Sequence, residues 1–127
     1  MSLPNRSADA ALATLILLQV TMLSALYAGI APHPPAATPL FGMAPFLAAS
    51  ISAAASALIL RPTERIGGRA LAGLAALLAL VSFGPQKFLD PQIALIWPAV
   101  VAGQVSALVV LAGVLRARLA RPVAGMA

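Results

Sequence analysis

Residues Ala10 to Leu60 read AALATLILLQVTMLSALYAGIAPHPPAATPLFGMAPFLAASISAAASALIL, a stretch of 51 residues without an aspartate, glutamate, lysine or arginine. Each ionised side chain at the centre of a bilayer costs about 2.5–3.5 kcal/mol on insertion scales, whereas a water-soluble core does not need so long an uncharged stretch. This stretch therefore predicts an integral membrane protein.

The overall composition supports the same prediction. The chain is 61% hydrophobic and 9% charged, with a mean hydropathy of +1.00, whereas soluble domains carry roughly 25% charged residues. The formal charge is +5, but the basic residues sit at the ends of apolar segments and form no basic stripe with interleaved aromatics. We therefore expect lipid phosphates, and not nucleic acid, as their partners. The chain has no cysteine, so it offers no thiolate nucleophile and no sulfur ligand for a metal.

The uncharged stretch is too long for one membrane helix. At roughly 1.5 Å per residue it would reach about 76 Å, more than twice the ~30 Å hydrocarbon thickness. Four prolines between residues 31 and 39 mark the turn, which gives predicted spans near residues 10–30 and 40–60. The first apolar run, of about 22 residues, exceeds the h-region of a signal peptide and is expected to remain as a membrane helix.

Two further spans are predicted near residues 70–85 and 91–115. The third run has only about 15 apolar residues, so it crosses only if Arg69 and Lys87 extend their charges toward opposite interfaces or if the bilayer thins locally. Asp90 is a candidate N-cap for the fourth helix, with Pro91 at its first position. The predicted fold is an all-α membrane protein, in which residues 1–127 form a single integral domain of four transmembrane helices in a compact bundle with short loops.

The basic residues predict the orientation of these spans. With four crossings, Lys87 is the only basic residue on one side, and seven arginines lie on the other: Arg6, Arg61, Arg65, Arg69, Arg116, Arg118 and Arg121. Both termini are therefore expected in the cytoplasm of a bacterial-type inner (plasma) membrane.

Small residues spaced four apart predict the faces along which the helices pack, because helices in lipid associate through close backbone approach and interhelical hydrogen bonds. In the second span this face contains Ala48, Ala49, Ser52, Ala55 and Ser56. In the fourth span it contains Ala99, Gly103 and Ala107.

Gln19 and Gln104 are the most polar side chains predicted to lie deep in the spans. An interhelical hydrogen bond is the ordinary expectation, and a direct contact between the two would fix the rotation of the first helix against the fourth. Contact with a substrate, quinone or pigment carbonyl is the functional alternative.

The predicted outer loops hold the other candidate polar contacts. Lys87 and Asp90 lie three residues apart and either form a local ion pair or flank a ligand entrance beside Trp97. His33 has no second histidine and no carboxylate nearby in the sequence, so no metal site is expected there. On the cytoplasmic side, we expect contacts with anionic lipid headgroups from Arg61, Arg65, Arg69, Arg116 and Arg118.

No catalytic constellation or cofactor motif is found in the sequence. The leading hypothesis is a non-catalytic structural or accessory subunit, or an assembly factor, of a larger inner-membrane complex, of which energy-transducing complexes are one class. Its partners would be membrane lipids and other membrane-protein subunits. The alternative is a small homo-oligomeric transporter or channel. A membrane enzyme would require the residues around His33, Lys87 and Asp90 to converge.

Overall fold

The computed structural model describes residues 3–28, 40–83 and 93–120. These residues form four helices: α1 (Leu3–Ala28), α2 (Leu40–Ile59), α3 (Ile66–Phe83) and α4 (Ile93–Ala120). The predicted helical fold class and order of helices are confirmed in this part of the chain. Three helical segments are long and apolar enough to cross a membrane, namely Arg6–Ala25, Ile66–Phe83 and Trp97–Leu119, whereas the apolar segment in α2 is the shorter Ala44–Ile59.

Three of the helices extend beyond the predicted spans. α1 begins at Leu3 and not near residue 10, α3 begins at Ile66 and includes Arg69, and α4 continues past Leu115. The predicted spans stopped at Asp9, Arg69 and Arg116, because charges are excluded from an apolar layer. A helix can continue past such residues, since arginine is a good helix former and its long side chain can reach away from the layer. At 18 residues, α3 is about 27 Å long, because the helix begins before Arg69 and is longer than the apolar run from which the third span was predicted.

The helices are arranged as a four-membered ring. α1 packs against α2 and α4, α3 packs against the same two helices, and α1 and α3 also approach each other across the diagonal. Gly113, near the end of α4, lies against Ala8 at the start of α1 and Thr63 just before α3, and Gly103 lies against Phe83 at the end of α3. α4 therefore runs antiparallel to α1 and α3.

The connection between α2 and α3 is tight and lies against the bundle. Arg61 has a φ of 69°, the left-handed conformation that commonly ends a helix. A Cβ atom at Gly68 would lie 2.7 Å from the carbonyl oxygen of Leu60 and closer still to that of Arg61. Pro62 is buried, and a Cβ atom at Gly113 of α4 would lie within 3.8 Å of Thr63. Only glycine at position 68 allows this close approach of the two helix ends.

Alanine occupies most of the helix interfaces, and larger apolar side chains face outward. On α3 the inward face consists of Ala72, Ala75, Ala76 and Ala79, each at most 1% exposed. Leu77 on the same helix is 57% exposed, and Leu108 on α4 is 61% exposed. Small inward and large outward residues are the arrangement expected where lipid is the solvent, because close backbone approach then drives helix association.

Glycine-to-alanine substitutions test this packing. We expect Gly68→Ala to destabilise the bundle by about 1–3 kcal/mol, the usual range for overpacking, because the methyl group meets backbone atoms. Gly103→Ala should have a smaller effect of the same sign, since its methyl group would meet the side chain of Phe83 at 2.8 Å. The measurement is unfolding in detergent micelles, followed by the fluorescence of Trp97, the single tryptophan.

Gly73→Ala is the matched control, because a Cβ atom there meets nothing within 4 Å. It should be neutral or stabilising by up to about 1 kcal/mol through helix propensity. Equal destabilisation by all three substitutions would contradict the described packing.

Candidate functional site

Gln19 is completely buried on the inner face of α1. Its Nε2 donates a hydrogen bond to Oγ of Ser50 on α2 at 2.6 Å, and Ser50 is 1% exposed. Gln19 shares this inward face with Leu12 and Leu15. Among the described side chains of α1 and α2, the other buried residues are apolar, so this bond favours one rotation of α1 against α2.

Three buried polar atoms have no hydrogen-bond partner within the described parts of the chain: Oε1 of Gln19, Oγ of Ser82 and Nε2 of Gln104. Ser82 is 2% exposed at the end of α3. Gln104 is partly exposed as a residue, although its Nε2 is buried. A buried polar atom without a partner costs about 1–3 kcal/mol, so these three atoms need a structural explanation.

Close contacts elsewhere place the polar residues at one level of the bundle. Gly103 packs directly on Phe83. Gln104 follows Gly103 and Ser82 precedes Phe83, and because α3 and α4 are antiparallel, both residues lie toward the same end of the bundle and at the same depth. Gly113 packs on Ala8.

Gln104 lies about 14 Å along α4 from Gly113, and Gln19 lies about 17 Å along α1 from Ala8. The two glutamines therefore differ in depth by only about 3 Å. We use the term polar layer for four polar residues near this level, one from each helix: Gln19, Ser50, Ser82 and Gln104. Ser106 of α4, two residues beyond Gln104, is also buried.

The polar layer shows where the two glutamines lie and which partner Gln19 has. Gln19 makes an interhelical hydrogen bond, but its partner is Ser50 of α2 and not Gln104 of α4. Sequence reasoning missed Ser50 and Ser82. A signal for Ser82 was present, because it follows Ala75 and Ala79 at helical spacing on the same buried face.

The predicted packing face is found on α4 but not on α2. Gly103 and Ala107 are buried, and Ala99 is partly exposed. On α2, Ser52 is exposed and Ser56 is partly exposed, so the prediction that these serines pack inside the bundle is wrong for the single chain. The buried face of α2 lies roughly opposite, at Leu47, Ser50, Ala53, Ala54 and Ala57. α2 has small residues on both sides, and Ser50, which bonds to Gln19, lies on the side that turns inward.

The arginines predicted to contact lipid lie at one end of the bundle. The contacts of Gly113 with Ala8 and Thr63 bring together the start of α1, the connection between α2 and α3 and the last turns of α4. Arg69 is partly exposed, and the other four are exposed: Arg61, Arg65, Arg116 and Arg118. Arg61 also forms an exposed ion pair with Glu64 at 3.4 Å.

Several predicted contacts cannot be placed. His33, Lys87, Asp90 and Arg121 lie outside the described residues. Trp97 is 54% exposed near the start of α4, so it faces the surroundings of the bundle and does not line the polar layer.

The polar layer contains neutral donors and acceptors only. Its amide and hydroxyl groups can orient a small uncharged molecule, but none of them is an ionisable acid or base at ordinary pH. No group of three or more histidine, cysteine, aspartate or glutamate residues that could hold a metal ion occurs in the described ranges. Comparison with protein-family models, curated proteins and solved structures gave no match.

Paired substitutions test the bond between Gln19 and Ser50. We expect Ser50→Ala to destabilise the bundle by about 1–3 kcal/mol, because Nε2 of the buried Gln19 amide then loses its hydrogen bond to Ser50. Adding Gln19→Met, which removes the amide at similar shape, should recover much of this loss. The measurement is a double-mutant cycle of unfolding free energies in micelles.

Ser52→Ala provides the control on the same helix, because Ser52 is exposed. Its effect should stay within about 0.5 kcal/mol. An equal loss of stability in Ser50→Ala and Ser52→Ala would count against the assigned bond.

Proposed function

We propose that the bundle is embedded in a bacterial-type inner membrane, with four crossings and with both ends of this chain in the cytoplasm. Three helices of sufficient length and apolarity support this proposal, as do large apolar side chains on the outside of the bundle. The exposed arginines at one end support the orientation, because basic residues near membrane helices favour the cytoplasmic side. In that position their guanidinium groups would bind the phosphates of anionic lipids.

Within that membrane, we infer that the chain is a non-catalytic structural or accessory subunit, or an assembly factor, of a larger complex. The observation that carries this proposal is the outward side of α2. Ala44, Ala48, Ser52 and Ser56 follow one another four residues apart, and Ala48 and Ser52 are exposed. We call these four residues the α2 ridge.

The α2 ridge differs from the other outward faces of the bundle. α3 and α4 expose bulky residues such as Leu77, Val81 and Leu108, which suit contact with lipid chains. Small residues spaced four apart instead allow a second helix to approach closely, and a serine hydroxyl can add a hydrogen bond between the helices. The α2 ridge is therefore the surface through which we expect another subunit to pack.

The alternative function is a small homo-oligomeric transporter or channel. The polar layer favours this alternative, because it places uncharged donors and acceptors inside the bundle, where they could bind a polar solute. The two hypotheses differ in what lies against the α2 ridge, which is a different protein for a subunit and a second copy for a homo-oligomer.

Site-specific crosslinking in native membranes distinguishes the two functions. A benzophenone amino acid at Ser52 should yield one discrete adduct with a different membrane protein. Ala48→Leu in the same chain should reduce that adduct about tenfold, equivalent to roughly 1.4 kcal/mol of association free energy, because the larger side chain blocks close approach.

Two controls define the result. Ala112→Leu introduces the same change at an exposed alanine of α4 and should leave the adduct unchanged, and benzophenone at Leu77 should yield no protein adduct. An adduct between two copies of the chain would favour the transporter or channel. Adducts with lipid alone at Ser52 would exclude a packing role for the α2 ridge.

A further inference from the structure

The three unpartnered atoms of the polar layer form a complementary set. Oε1 of Gln19 can only accept a hydrogen bond, Nε2 of Gln104 can only donate, and the hydroxyl of Ser82 can do either. They belong to three different helices, α1, α4 and α3, and lie near one depth. A molecule that satisfies all three must both donate and accept.

The surroundings restrict the size and charge of that molecule. About one helical turn from Gln19, Ser50 and Gln104 lie the buried apolar residues Leu15, Leu47 and Val100, and Phe83 next to Ser82 packs on Gly103. Gln19 itself is 0% exposed. Because no ionised group is among the four residues of the layer, a charged ligand would lack a counter-charge there.

A direct bond between Gln19 and Gln104 would satisfy only part of the set. Nε2 of Gln19 donates to Ser50, which leaves Oε1 as the atom of this amide without a partner. Even if its Oε1 accepted a bond from Gln104, the hydroxyl of Ser82 would still lack a partner. A water molecule can accept one bond and donate two, and buried waters typically make about three hydrogen bonds to polar groups that otherwise lack partners.

We propose that the polar layer is a binding site for an ordered water molecule. The water accepts a hydrogen bond from Nε2 of Gln104 and donates to Oε1 of Gln19 and to Oγ of Ser82. Together with the bond from Gln19 to Ser50, this network connects all four helices through neutral groups. The inference is independent of whether the chain acts as a subunit or as a transporter.

Water-edited solid-state NMR of the wild-type chain in lipid bilayers tests this site. The chain has four glutamines, so the side-chain amides of Gln19 and Gln104 can be assigned with Gln19→Met and Gln104→Met. We expect early magnetisation transfer from water to both of these amides. The backbone amides of Ala76 and Ala79, buried on the inner face of α3, should receive none over the same mixing time.

A second comparison tests the role of the serine. Ser82→Ala removes one of the three bonds and should greatly reduce the transfer to Gln104, whereas Ser52→Ala should leave it unchanged. The proposal is overturned if Gln104 stays dry and shows a through-space contact with the Gln19 amide, because the two then bond directly. Equal transfer to Ala76 and Ala79 would also overturn it, since the whole interior would then be hydrated.

Discussion

Close approach of helix backbones is the constraint on which the rest of this structure depends. The inner faces of the helices consist mainly of alanine. Glycine occupies positions where a methyl group would meet another segment of the same chain, as at Gly68 and Gly103. Bulky side chains such as Leu77 and Leu108 point away from the bundle. In water this distribution would leave many bulky apolar side chains exposed. In lipid these side chains match the surrounding acyl chains, and the tight helix interfaces provide the dispersion energy that holds the helices together.

Alanine interfaces allow tight packing but specify the rotation and register of helices poorly, because one alanine can replace another with little change in energy. The polar layer supplies the missing selectivity. The bond from Gln19 to Ser50 forms with one rotation of α2, and a buried amide without a partner disfavours the others. A similar division of labour is known in coiled coils, where a single buried polar residue specifies register.

The helical class and the order of the four helices follow from hydropathy, proline positions and charge. So does the buried face of α4, because Gly103 and Ala107 lie on its main stripe of small residues. The inward face of α2 could not be predicted, since small residues lie on both of its sides and its hydrogen-bond partner, Gln19, belongs to another helix. The partner of Gln19 likewise depends on tertiary register, which no local pattern encodes.

The central claim is that lipid surrounds the bulky outward face, and spin labelling in bilayers tests it most directly. The chain has no cysteine, so single labels can be attached through Leu77→Cys, Leu108→Cys and Arg65→Cys. Labels at positions 77 and 108 should collide often with oxygen and rarely with a water-soluble nickel complex, and the label at position 65 should show the reverse. Nickel collisions as frequent at position 77 as at position 65 would contradict the account.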